Sequence, residues 1–106
     1  MLMSVRGESV YGSESEICKE AVAVYGKEQQ LLVFFEEVGE LMQAISKDKR
    51  GFGDRANIAE EICDVEIMIE QLKYIYGCHR EVNKFKNKKI VRLLGRIDEV
   101  KKGAKR

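Results

Sequence analysis

Proline and tryptophan are missing from this chain altogether, and histidine occurs once, at His79. Without proline, no segment carries the strongest helix breaker. Without tryptophan, no indole platform exists for stacking a base. The three cysteines, Cys18, Cys63 and Cys78, are odd in number and share no framework spacing. That excludes a disulfide scaffold and suits a reducing compartment. Cys78 and His79 are adjacent but have no second pair of zinc ligands, so a zinc centre is not expected. No run approaches the roughly 18 apolar residues of a membrane span, and the N-terminal "MLMSVRGESVYG" lacks the apolar stretch of an export signal. A cytoplasmic protein that does not use a membrane is therefore expected.

What is present is charge and helix-forming periodicity. Of 106 residues, 44% are hydrophobic and 35% charged, a globular rather than a disordered profile. A chain of this length supports one domain with a modest core, for which self-association is a common supplement. The formal net charge of +1 conceals a division. Residues 83–106 hold ten Lys/Arg against Asp98 and Glu99, a net of +8. The remainder, with nine basic and sixteen acidic residues, nets −7. Such a basic end is either a nucleic-acid tail or positive charge serving an acidic site.

Four helices read along the chain. Ser13 and Glu16 stand in capping-box spacing ahead of a helix over 14–25 that Gly26 ends. A second is expected over 27–47, where Leu31, Phe34, Phe35, Val38, Leu41, Met42 and Ile45 recur at three and four residues. "KDKRGFGDRA" breaks the pattern, and Asn57 with Glu60 predicts the cap of a third helix reaching Tyr76. Its apolar face is Ile58, Ile62, Val65, Ile69, Leu72 and Tyr76. A fourth, over 80–100, is interrupted by Gly95, with Val82, Phe85, Ile90, Leu93, Leu94 and Ile97 available to a core. The expected fold is all-α, an antiparallel four-helix bundle. Residues 1–12 are expected to be a flexible segment, 13–100 one helical domain and 101–106 a basic tail.

Two acidic phrases, "EEVGE" at 36–40 and "EEICD" at 60–64, border the apolar stripes of successive helices. Glu37 with Glu40, and Glu61 with Asp64, are i,i+3 pairs whose Cβ atoms lie about 5–6 Å apart on one helix side. If the stripes pack as a hairpin, the four carboxylates converge. Two like charges ~5 Å apart repel by roughly 3 kcal/mol at an effective dielectric near 20, so convergence calls for a cation. An all-oxygen donor set favours Mg²⁺, with Mn²⁺ second. Mg²⁺ keeps waters and is commonly completed by substrate phosphates, which points to phosphate-ester chemistry. A di-iron site would use E-x-x-H elements, and His79 follows no such glutamate. Taken alone, an E-x-x-E is usually a solvated face; the doubling is what carries information.

Glu37-x-x-Glu40, a gap of twenty residues over 41–60, then Glu61-x-x-Asp64 resembles the E-x-x-E…E-x-x-D signature of the MazG-like nucleoside triphosphate pyrophosphohydrolases. Dimeric dUTPases and phosphoribosyl-ATP pyrophosphatases are relatives of that family. "YGKEQQ", "DVEIMIEQLKYIYG" and "KKIVRLLGRI" extend the resemblance over roughly residues 20–97. It implies that Glu37, Glu40, Glu61 and Asp64 hold Mg²⁺, and that Glu36 and Glu37 serve catalysis, Glu36 by orienting or deprotonating water. It implies attack at the α-phosphorus, releasing nucleoside monophosphate and pyrophosphate in nucleotide-pool sanitation. It also implies a homodimer or homotetramer, with nucleic acid not the primary ligand. For substrate contacts, Gln30 has an amide able to read a base edge. Lys47, Lys49, Arg50 and Arg55, or Lys89 and Arg92, are able to meet phosphate oxygens. With no tryptophan, Tyr25, Phe34, Phe35, Phe52 or Tyr74 would have to stack on the base. The rival expectations are a catalytically silent helical oligomer and a nucleic-acid-binding module using the basic end.

Overall fold

The computed structural model describes residues 12–104, so most of the segment expected to be flexible at 1–12 lies outside the described residues. Among those described, the chain is four helices and no β-ladder: α1 (Glu14–Tyr25), α2 (Lys27–Lys49), α3 (Arg55–Tyr76) and α4 (His79–Ala104). None is long and apolar enough to cross a membrane.

The caps explain the boundaries. The Ser13 hydroxyl accepts from the Glu16 backbone N–H at 3.2 Å, as the capping spacing predicts. The cap of α3 is Asp54, not Asn57: its Oδ1 accepts from the Ala56 N–H at 3.0 Å and starts the helix two residues before Asn57. Both are short acceptor side chains, and the one nearer the glycine loop meets the exposed N–H groups first. Gly95 does not interrupt α4, which runs on through Lys102 into the expected tail. A single glycine costs a helix only about 1 kcal/mol.

Between α2 and α3 the chain reverses in five residues. Phe52 donates its backbone N–H to the Lys47 carbonyl at 2.9 Å, and Gly51 to Asp48 at 3.0 Å. Gly51 adopts a φ of +86°, and a Cβ on Gly53 would fall 2.5 Å from the Asp48 Cα. Only glycine allows both the left-handed turn and that close approach. The loop thereby folds α3 back along α2.

Helices α1, α2 and α3 pack on one another, α2 against α3 most extensively, while α4 meets only α3. The buried residues are Cys18, Gln30, Ala44, Met68 and Gln71. Large apolar residues at the expected core positions stay at the surface instead: Phe35 is 64% exposed, Met42 66% and Tyr76 66%. In α4, Phe85, Ile90, Leu93, Leu94 and Ile97 are all exposed, and of the apolar residues expected in the core only Val82 is half-buried. The fourth helix of the expected bundle therefore leaves the other three after one turn. Its stripe, interrupted by Lys86 and Lys89, has no partner among the described residues.

Candidate metal centre

The hairpin register builds the site. Glu37 with Asp64, Glu40 with Glu61, Val33 with Met68 and Gln30 with Gln71 are mirror pairs about positions 50 and 51, at the α2 end of the reversal. On two antiparallel helices, residues equidistant from the turn come level, and spacings of three and four keep them on the shared seam. Accordingly, Gln30 Nε2 donates to Gln71 Oε1 across the seam at 2.7 Å. Carboxylate oxygens of Glu37, Glu61 and Asp64 all lie within 4.8 Å of one another. Glu40 adds its charge beside Glu61 and is more exposed than the other three.

The electrostatics are those of a cluster short of positive charge. Burial, then Glu40, Asp64 and Glu61, push the Glu37 carboxyl above its ordinary value. Burial, then Glu40 and Asp64, with Glu60 behind, do the same to Glu61. Among the described residues no Lys or Arg pairs with these acids; the ion pairs present both belong to Glu70. Glu37 Oε2 and Glu61 Oε2 are buried and accept no hydrogen bond. A buried polar oxygen left without a partner costs about 1–3 kcal/mol. Oxygen-only ligands that converge with no basic partner among the described residues fit a hard divalent cation.

The other sequence-predicted residues fall in different places. Glu36 is exposed, roughly 40° around α2 from Glu40, so it stands at the rim on Glu40's side. Gln30 is 6% exposed, and its amide is occupied by Gln71 in the seam rather than presented at the surface. Lys47 and Arg50 are exposed at the loop end, where Arg50 Nε donates to the Ser46 carbonyl at 3.3 Å. Counting 1.5 Å per residue, they sit roughly 10–15 Å along the helix from Glu40. Lys89 and Arg92 are exposed on α4, away from the seam. Of the aromatics, Tyr25, Phe35 and Phe52 are exposed and Phe34 packs 5.9 Å from Phe35. Tyr74 is engaged elsewhere, its ring 4.4 Å from His79.

Two features were missed from the sequence. The first is the apolar layer of Val33 and Met68 beside the carboxylates, which the mirror spacing about the loop would have found. The second is a junction centred on Glu70 at the root of α4. Ser15 Oγ donates to Glu70 Oε2 at 2.8 Å, His79 Nε2 reaches the same oxygen at 2.8 Å, and the Tyr74 hydroxyl bonds Ser15. Burial alone would raise the Glu70 pKa. The bonds from His79 and Ser15, with the charges of His79 and Lys73, outweigh it and hold the carboxyl below its ordinary value. A depressed carboxyl stabilises the fold above the unfolded value of 4.5, and that contribution is lost as pH falls through the lowered folded value. Glu70→Gln should thus cost about 1–2 kcal/mol at pH 7, measured by urea denaturation, and should flatten the acid limb of the stability curve below pH 4.5.

Comparison with protein-family models, with curated proteins and with solved structures finds no match for this chain.

Proposed function

We propose that the chain is a Mg²⁺-dependent nucleoside triphosphate pyrophosphohydrolase of MazG-like type, releasing nucleoside monophosphate and pyrophosphate. One observation carries this reading: acids from two antiparallel helices converge on the seam with two buried oxygens unpartnered and no basic residue between them. The residues that would hold the cation are Glu37, Glu61 and Asp64, with Glu40 closing the group. When bound, Mg²⁺ (or Mn²⁺) polarises the phosphoryl oxygens, lowers the pKa of water and neutralises charge on the departing pyrophosphate. The chain supplies the rest. The α2–α3 seam fixes the carboxylates before substrate arrives, so the protein need not reorganise during reaction. Glu36, exposed on α2 next to Glu37, is the residue to which this reading gives the orienting or deprotonation of the attacking water. Lys47, Arg50, Lys89 and Arg92 are exposed cations that a polyphosphate chain or a second copy would have to reach.

A homo-oligomer belongs to the same reading. Nineteen large hydrophobic side chains are exposed among the described residues, and no large side chain is fully buried. Large apolar side chains grouped at a surface are the usual mark of an interaction face. Seven of the nineteen lie on α4, Ile90, Leu93 and Ile97 among them. Leu93→Glu should shift the protein toward monomer in sedimentation analysis; an unchanged sedimentation coefficient would remove α4 from the interface.

The test of function is direct. Purified protein with Mg²⁺ and a panel of nucleoside and deoxynucleoside triphosphates should release pyrophosphate. Orthophosphate alone would redirect the assignment to another phosphatase. The exposed basic face of α4 favours a second reading, a nucleic-acid-binding module. Absence of turnover on every nucleotide, together with RNA or DNA binding that weakens steeply with salt, would select it.

A further inference from the structure

Only Gly77 and Cys78 separate the end of α3 from the start of α4. Gly77 takes the left-handed conformation, at φ 60° and ψ 40°, and donates its N–H to the Tyr74 carbonyl at 3.3 Å. Cys78 donates to the Lys73 carbonyl at 3.0 Å, and its own carbonyl receives the Val82 N–H at 2.9 Å, which opens the next helix. These bonds fix where one helix stops and the other starts. The angle between them is left to side chains, and among the described residues α4 packs only on α3. His79, the first residue of α4, supplies the polar contact. Its Nε2 lies 2.8 Å from Glu70 Oε2, and its ring stands edge-on to Tyr74 with centroids 4.4 Å apart. Beyond it Val82 is half-buried, and every later described residue of the helix is exposed.

We propose that Glu70 and His79 form a pH-sensitive clasp that sets the direction of α4, closed while the imidazole is protonated and open once it loses that proton. Glu70 is held from three sides. Ser15 of α1 donates to Oε2 at 2.8 Å, Lys73 stands 3.8 Å from Oε1, and His79 shares Oε2 with Ser15. The other ionisable groups around the pair are Glu14 and Cys18 from α1 and Glu66 and Tyr74 from α3. On α4 itself, the adjoining charges Arg80 and Glu81 are exposed. A protonated imidazole gives the carboxylate a charge-assisted bond. A neutral imidazole carries a hydrogen on Nε2 in one tautomer alone; the other turns a lone pair toward the carboxylate oxygen. Ser15 and Lys73 keep Glu70 in place either way. The group that leaves is therefore His79, and α4 leaves with it. The clasp thereby decides whether the seven exposed large apolar residues of α4 are presented at one angle or swept through many.

Residual dipolar couplings of the backbone amides read the direction of each helix. At about pH 5.5 the α4 couplings should fit one alignment frame with those of α1, α2 and α3. Toward about pH 8, across the interval in which histidine ordinarily changes charge, they should shrink and leave that frame. The midpoint should coincide with the titration of the ring proton of His79, the single histidine in the chain. His79→Arg, whose charge stays on throughout this interval, should hold α4 in the common frame at both pH values. His79→Phe keeps a ring against Tyr74 but has no donor, and should release α4 at both. The deciding measurement is made on Leu93→Glu, so that no second copy seated on α4 holds it in place. Release there on raising the pH, abolished by adding His79→Arg, supports the clasp. An α4 fixed at both pH values, or loose at both, would overturn it, and so would a pH response that survives His79→Arg.

Discussion

Asp64→Asn and Glu37→Gln should each lower pyrophosphate release at least about 1,000-fold while leaving the protein folded and, in chelator, more heat-stable than the parent. The activity loss follows from the number of charges facing the cation. A bound metal supplies several kcal/mol of transition-state stabilisation, and each 1.36 kcal/mol is a factor of ten in rate. The gain in stability follows from the same geometry with the sign reversed. Oxygens within 4.8 Å of one another repel when no ion separates them, and an amide removes one of the repelling charges. Turnover assays and calorimetry on the same preparations read both effects. A site that is merely structural would lose stability together with activity, and that joint loss would refute the metal centre.

Magnesium should raise the melting temperature, and the rise should depend on pH. At ten times its dissociation constant, a ligand of the folded state adds about 1.4 kcal/mol. For a domain of this size that is roughly 6–10 °C. Glu37 and Glu61 have carboxyls raised above 4.5 by burial and by neighbouring acids. A raised carboxyl binds protons more readily in the folded state. Without metal, the contribution of these two groups to stability is therefore full below 4.5 and declines as pH climbs through their raised folded values. Protons and cation compete for the same oxygens, so the gain from magnesium should grow over that interval and vanish on acidification. Glu70 acts in the opposite sense and below 4.5, so the two effects separate along the pH axis. Differential scanning calorimetry from pH 2 to 8, with and without magnesium, measures both. A magnesium response equal in the parent and in Asp64→Asn would assign the ion to some other place.

Much of the fold was legible because helix formation is local. Ser13 with Glu16, the three-and-four spacing of apolar residues, and the glycines at 26, 51, 53 and 77 each act within one turn of chain. They place the element boundaries within a few residues. The misplaced cap of α3 is a choice between two neighbouring acceptors, Asp54 and Asn57, which propensity alone does not separate. The convergence of Glu37, Glu61 and Asp64 was legible for a further reason: a short loop makes two helices antiparallel, and acids in mirrored register across it then meet. Gln30 was not. Its polarity suggests a surface position, and only the hairpin register shows that Gln71 comes level with it and satisfies the amide in the seam.

Local chemistry along the chain thus determined that there are four helices, where the reversal between α2 and α3 lies, and which acids face one another across it. Tertiary packing decided which side chains are covered. The seam buries Gln30, Met68 and Gln71 while large apolar residues remain outside, because inter-helix contact depends on the rotation of whole helices and not on the hydrophobicity of any one residue. It decided as well that α4 departs from the bundle at the Glu70–His79 junction, its apolar stripe uncovered by any other described residue. Amphipathic periodicity specifies that a face should be buried, but not against what. The answer depends on surfaces distant in sequence or on another chain.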